Sequence, residues 1–155
     1  MGLENAKVIS VNISRKTGQK KNGVDSVCAI AEKGLEDDAH AVGGDRQISL
    51  LATESIQRMI KEGAQVGPGD FAENITTEGV DLLKLPIGCR LKVGEAIIEV
   101  TRHGKECPAP CAIYYQVGYC VMPTDGIFAR IIEGGLIKPN DPIRLVEKSQ
   151  CTGPE

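Results

Sequence analysis

The chain has no tryptophan, only three tyrosines and two phenylalanines, and no excess of positive charge in its 155 residues. Its 18 Lys and Arg are outnumbered by 21 Asp and Glu, giving a formal charge of −3. A mildly acidic chain without a basic face argues against general nucleic-acid binding. It also lacks any apolar run near the roughly 18–20 residues that cross a bilayer, so no membrane association is expected. The polar start, Met1-Gly2-Leu3-Glu4-Asn5, has no signal-peptide core. Gly2 does not read as a myristoylation site, because Ala6 stands where Ser or Thr is expected. The expected location is the cytoplasm. Disorder is excluded in turn by the 41% hydrophobic content, and the length suits one domain.

Cysteine is what the chain does have, six in all: Cys28, Cys89, Cys107, Cys111, Cys120 and Cys151. In a reducing cytosol such residues are thiols, metal ligands or sulfur-handling groups rather than a disulfide framework. Cys28 and Cys89 lie inside β patterns and read as small buried hydrophobes. Cys107, Cys111 and Cys120 instead cluster within fourteen residues.

The dominant pattern is short, β-rich and broken by glycine. Residues 7–13 alternate with β-branched side chains and predict a strand. A basic turn, Arg15 to Gly23, precedes a second expected strand over 24–31. After its first residue, Gln47, the run 47–52 is apolar except for Ser49, as in a strand buried on both faces. Thr53 as N-cap, the spacing of Ile56, Met59 and Ile60, and Gly63 as C′ residue place a helix at about 53–62. Glu54 and Arg58 make an i, i+4 pair on its outer face. Residues 90–93 and 96–100 flank Gly94-Glu95, which suits a type II′ hairpin. Pro139-Asn140-Asp141 turns the chain into a closing strand over 143–146. Many short strands and few helices indicate a mainly β barrel.

The most informative stretch is Thr101-Arg102-His103-Gly104-Lys105-Glu106-Cys107-Pro108-Ala109-Pro110-Cys111. It follows a strong strand, so the cysteines emerge at the barrel rim. Arg102, His103 and Lys105 favour thiolate at Cys107, and the thiolate is both the nucleophile and the metal ligand. Pro108 and Pro110 deny the segment a regular helix or ladder. A zinc site is a competing reading, but Cys-x3-Cys with one more cysteine lacks the paired spacing of structural zinc, and only His40 or His103 could complete it. A second constellation, from Leu35 to Gln47, holds His40 and Arg46 among glycines. Arg46 can fork onto a phosphate or oxo-anion, or pair with Asp45 in a solvated loop. A third, from Pro68 to Gly79, offers Asn74 and Thr76. These either bind a planar heterocycle or satisfy backbone groups.

These motifs occur in a familiar order: Asp38-Ala39-His40-Ala41, Arg46-Gln47-Ile48-Ser49-Leu50-Leu51-Ala52, Gly69-Asp70-Phe71-Ala72-Glu73-Asn74-Ile75-Thr76, Leu85-Pro86-Ile87-Gly88, Gly104-Lys105-Glu106-Cys107 and Gly126-Ile127-Phe128-Ala129. The set resembles the MOSC family, named for the C-terminal domain of molybdenum-cofactor sulfurases, and more narrowly its small stand-alone bacterial members. The resemblance implies a closed β-barrel with a few short peripheral helices over residues 5–147, followed by a flexible tail at 148–155. It implies a cleft for the molybdenum cofactor, or its tungsten form. Cys107 would carry sulfur as a persulfide or ligate molybdenum, and Cys111 would be a supporting thiol. Lys20, His40, Arg46, Asn74, Thr76, Arg102 and Lys105 are the expected cofactor contacts. Where relatives tend to carry tryptophan and histidine before the Arg-Gln pair, this chain has Gly44 and Asp45. Pro108 and Pro110 replace the histidine and arginine usual between the paired cysteines. No pyridoxal-phosphate lysine motif is evident, so sulfur transfer would need a cysteine desulfurase as donor and a molybdoenzyme as acceptor. The sequence leaves open whether the protein is a sulfurtransferase or a binding module. From another class, a small metal-binding or redox-sensing protein built on Cys107, Cys111 and Cys120 remains the alternative.

Overall fold

The computed structural model describes residues 6–14, 22–38, 44, 47–69, 71, 73–103 and 126–146. They form two sheets and one α-helix. In chain order the elements are β1 (Lys7–Ile13), β2 (Asn22–Val24), β3 (Val27–Ile30), β4 (Gly34–Leu35), β5 (Ile48–Ala52), α1 (Thr53–Lys61), β6 (Ile75–Glu78), a 3-10 turn (Leu82–Lys84), β7 (Arg90–Val93), β8 (Ala96–His103), β9 (Ile127–Glu133), β10 (Gly135–Ile137) and β11 (Ile143–Leu145). The larger sheet has eight strands in the order β11-β7-β8-β9-β5-β6-β1-β2, and β10-β3-β4 form the smaller one. Among the described residues the strand pairs are antiparallel except β5 with β6, which run parallel across the α1 crossover.

β1 coincides with the predicted strand, but its pairing with β6 slips between Val8 and Ser10. The bulge switches faces, so Val8 and Val11 both enter the core although three positions separate them. The single strand expected over 24–31 is instead two. Asp25-Ser26 breaks it, leaving β2 beside β1 and sending β3 into the smaller sheet. Asp and Ser bond their own backbone and favour such breaks. β5 is buried along its whole length, as its apolar run predicts. Ile48, Leu50 and Ala52 face the main core with Val8, Val11, Ile75, Ile98 and Ile127. Leu51, on the other face, packs with Ile56 and Met59 of α1 and with Phe71.

The helix starts one residue differently from expectation. Ala52, still paired to β6, is the N-cap in extended conformation, and no side chain among the described residues caps the helix. With no loop between β5 and α1, the cap position is a strand residue, and Thr53 lies inside the first turn. The other end follows the prediction. Ala64 N–H donates to Met59 O (3.1 Å) and Gly63 N–H to Ile60 O (3.0 Å), the two bonds of a glycine-terminated helix end. The β7–β8 turn is also as predicted, with Gly94 at φ +59° and Glu95 outside the positive-φ residues, as a type II′ turn requires.

The eight-stranded ladder does not close on itself among the described residues. Its two halves meet at a short seam where β1 touches the turn before β11: Val8 N–H to Asp141 O (2.9 Å), Asn140 N–H to Val8 O (2.7 Å) and Ile143 N–H to Ala6 O (3.1 Å). Cys28 departs from its expected burial. It points outward from β3 and is a free, exposed thiol, because only Val27 and Ala29 of that strand face inward. Cys89 is fully buried, as expected, but disulfide-bonded rather than a thiol.

Candidate functional site

One row crosses β8, β9, β5 and β1 of the larger sheet, the last two joined through Asn74, which immediately precedes β6. Arg102 of β8 lies opposite Phe128 of β9, and Phe128 opposite Ser49 of β5. Asn74 N–H then donates to Ser49 O (2.9 Å), and Asn12 N–H to Asn74 O (2.7 Å). A register slip between Val100 and Arg102 brings Arg102 into this row. Two of the predicted contacts, Arg102 and Asn74, therefore share one line, and Thr76 stands two residues along β6.

Most of this row is buried polar surface, which is tolerable only when hydrogen-bonded. Asn74 is 1% exposed. Its Oδ1 accepts from Ser49 N–H (3.0 Å), and its Nδ2 donates to Asn12 O (3.1 Å). One amide thus bridges the backbones of both neighbouring strands. Asn12 Nδ2 donates to Glu73 O and to Thr76 Oγ1, both at 3.2 Å, while its Oδ1 accepts from Ser10 Oγ (2.6 Å). Thr76 Oγ1 in turn donates to Glu73 Oε2 (2.7 Å).

Glu73, fully buried, is the anchor of the segment leading into β6. Its carboxylate accepts from Gly69 N–H (2.8 Å), Phe71 N–H (3.2 Å) and the Thr76 hydroxyl. Burial pushes the Glu73 carboxyl above its ordinary pKa, against the opposing pull of those donors. Asn12, Ser49 and Glu73 were not singled out as functional from sequence. Asn12 carried the one usable signal, an amide in a run of β-branched residues, where asparagine is disfavoured unless bonded.

Arg102 is half-buried, and its neighbour His103 places Nε2 2.7 Å from Leu85 O. A carbonyl only accepts, so Nε2 carries hydrogen there. On the far side of the row, Asp38 Oδ1 accepts from Ser14 N–H (3.0 Å), tying the end of β1 to the turn after β4. Gln47, 1% exposed, accepts from Ile131 N–H at Oε1 (2.9 Å) and donates from Nε2 to Gly44 O (2.8 Å). Beyond it an ionic chain crosses the sheet. Glu99 bonds Arg130 (2.8 Å) and Arg90 (3.2 Å), and Arg130 reaches Glu32 (3.3 Å). Burial raises the Glu99 carboxyl pKa, but the two arginines outweigh it and hold it below its ordinary value.

Lys20, His40, Arg46, Lys105, Cys107 and Cys111 lie outside the described residues. Their attachment points do not. Ser14 follows Asn12 by two positions, Gln47 precedes Ser49 by two, and His103 follows Arg102 directly. At about 3.3 Å per strand residue, each departure is within roughly 7 Å of the row measured along its own strand. Among the described residues no group of three or more His, Cys, Asp or Glu could hold a metal ion. A groove of about 440 Å³, lined by Ala52, Glu54, Ser55, Arg58 and Gly79 to Leu83, includes none of the predicted site residues. No helix among the described residues is long and apolar enough to cross a membrane.

A family model described as the MOSC domain matches residues 37–144, more than half of the chain. No curated protein matches significantly in sequence. Similar solved structures include the YuaD protein from Bacillus subtilis, at 18% identity and a TM-score of 0.75, covering 90% of this chain and 94% of that one. YiiM from Geobacillus stearothermophilus is 22% identical with a TM-score of 0.68, over 91% of this chain and 75% of that one. YiiM from Escherichia coli is also 22% identical with a TM-score of 0.63, over 92% and 68%. At these identities the likeness is one of fold.

Proposed function

Because the chain belongs to the MOSC domain family, we propose that it binds the molybdenum cofactor, in its molybdenum or tungsten form, and carries or transfers sulfur through Cys107. The observation that supports this best is the row from Arg102 to Asn12, beside which the segments holding the other candidate contacts leave the sheet. We read the β1–β11 seam as the closure of the family's barrel and residues 5–147 as the domain.

The donor set suits the ligand. A molybdopterin is anionic at its phosphate and soft at its metal, so guanidinium and ammonium groups fit one end and a thiolate the other. When bound, the cofactor supplies that soft metal centre; the chain supplies charge, shape and sulfur. In this reading Arg46, Lys20 and Lys105 hold the phosphate and oxo groups with His40 and Arg102. Asn74 and Thr76 contribute by keeping the floor rigid, since their polar atoms already serve Ser49, Asn12 and Glu73. Cys107 thiolate attacks the outer sulfur of a desulfurase persulfide. Its new S–S bond forms as the donor's S–S bond breaks, the donor leaves as thiolate, and Cys107 keeps the outer sulfur for delivery to a molybdoenzyme's cofactor. Cys111 acts as the supporting thiol. In this reading the site works in the cytoplasm.

Cofactor released from a molybdoenzyme and added to this protein should bind with quenched pterin fluorescence, and labelled sulfur from a desulfurase should reach Cys107. Failure of both overturns the proposal.

A further inference from the structure

We propose that the groove between α1 and the segment after β6 is a second binding site, built for a small zwitterion of the α-amino-acid class with an apolar side chain. Its place follows from the topology. β5 and β6 are the one parallel pair among the described strands, and their ladder ends with Ala52 opposite Thr77. From that common end the chain enters α1 directly after Ala52, whereas Gly79, at φ +84°, turns the other segment off β6. Segments that diverge from the carboxyl ends of neighbouring parallel strands leave a crevice, the usual position of ligands in parallel sheets. Here that crevice is the groove of about 440 Å³, a volume suited to a small molecule.

Each wall is anchored in a different core. Ile56 and Met59 of α1 pack with Leu51 and Phe71, while Val80 and Leu82 belong to the main cluster. Glu54 Oε2 accepts from Gly79 N–H (3.0 Å) and ties the walls together. The groove therefore stands open before any ligand arrives, which spares the ordering cost of binding. Its floor is apolar, with Ala52, Val80 and Leu82 all buried, and Leu83 adds apolar surface that is 42% exposed. Charge of both signs lines the walls. Arg58 stands one helical turn after Glu54, and Asp81 two residues after Gly79. A purely anionic ligand would meet the two carboxylates, and a purely cationic one would meet Arg58. A zwitterion satisfies both: its carboxylate takes guanidinium donors of Arg58, and its ammonium takes Asp81 and the Glu54 Oε1 that Gly79 leaves. Lys84 competes weakly for Asp81, at 4.0 Å between exposed groups. The site is separate from the candidate cofactor site. Ala52 lies three residues along β5 from Ser49 and Gly79 five beyond Asn74, about 10 and 16 Å of extended chain.

Titration of the isotope-labelled full chain with L-leucine, followed by backbone amide resonances, tests the proposal. Millimolar L-leucine should shift the amides of residues 52–58 and 79–83 along a saturable curve and leave those of Ser49, Asn74 and Arg102 in place. Isocaproate, which lacks the ammonium, and isoamylamine, which lacks the carboxylate, should each bind about tenfold more weakly. Arg58→Gln and Asp81→Asn should each weaken L-leucine by about tenfold as well. Both side chains are exposed, so the variants should melt within about 2 °C of wild type. The comparison of the three probes uses wild-type protein alone and decides the question even if a variant fails to fold. The absence of a saturable shift, equal binding of the three probes, shifts centred outside the groove, or unchanged affinity in both folded variants overturns the inference. None of these results bears on whether the protein binds the molybdenum cofactor.

Discussion

Replacing Asn74 by alanine asks whether this amide holds the sheet or touches a ligand. The side chain is 1% exposed and spans two strands. Its removal takes the acceptor from Ser49 N–H and the donor from Asn12 O, in residues that are 4% and 0% exposed. A buried donor left without a partner costs about 1–3 kcal/mol, and a carbonyl that loses one bond costs roughly 1. The sum is about 2–4 kcal/mol, a large part of the roughly 5–15 kcal/mol that stabilises an ordinary domain. For a chain of this length each kcal/mol moves Tm by about 2–4 °C, so the variant should melt about 5–15 °C lower. Urea denaturation followed by circular dichroism measures the loss directly, with the slope unchanged if both states keep their compactness. Ser49→Ala is the control. It removes a hydroxyl whose contacts with Asn74 are the longer 3.2 and 3.5 Å, and should cost under about 1 kcal/mol. Wild-type stability in Asn74→Ala, together with lost cofactor binding, would refute the reasoning and make Asn74 a ligand contact.

Three further outcomes follow from individual residues. Thr77 is fully buried, pairs with Val8 and Ala52, and its hydroxyl has no hydrogen-bond partner among the described residues; Thr77→Val should raise stability by about 1 kcal/mol in urea titration. Gly94→Ala should cost more than about 2 kcal/mol, since a Cβ there would lie 2.8 Å from Leu136 O at a φ of +59°; a melt within 2 °C of wild type contradicts the turn assignment. Glu73 makes a prediction about pH. Its folded-state pKa is raised above the ordinary 4.5, so its contribution is fully present below 4.5 and is lost as pH rises through the folded value. Glu99, held low, contributes in the opposite sense, above 4.5, and loses it as pH falls through its lowered value. Urea midpoints from pH 4 to 8 should therefore fall less with rising pH in Glu73→Gln than in wild type; parallel curves would exclude a raised carboxyl.

What the sequence makes legible is local. β1, β5, the end of α1 and the β7–β8 hairpin follow from alternation, an apolar run and two glycines, all contained in short windows. The Asp25-Ser26 break was visible as residue types, yet only the partner strands decide that β2 and β3 belong to different sheets. Thr53 looked like a cap because sequence does not show that β5 runs into the helix without a loop. Cys28 looked buried because a strand of small apolar residues does not say which face is covered.

The same distinction holds at the site. The sequence pointed to Asn74, Thr76 and Arg102; the structure places Asn74 and Thr76 just before and within β6 and Arg102 on β8, with β9 and β5 between them. What their neighbours do depends on bonds across 61, 64 and 84 positions, from Asn12 to Glu73 and Thr76 and from Ile131 to Gln47. No periodicity encodes such pairs. Buried polar networks emerge only when distant strands meet, which is why Glu73 and Gln47 sat unremarked inside their motifs.

The central claim is that this MOSC protein binds the molybdenum cofactor. The most direct measurement is the pterin and metal content of the protein purified anaerobically from a cofactor-producing host, beside the Arg46→Gln variant purified in parallel. The account predicts oxidised-pterin fluorescence and molybdenum or tungsten in equal amounts with the wild-type protein, and roughly tenfold less with the variant. Wild-type protein that carries neither, and takes up neither on reconstitution, contradicts it.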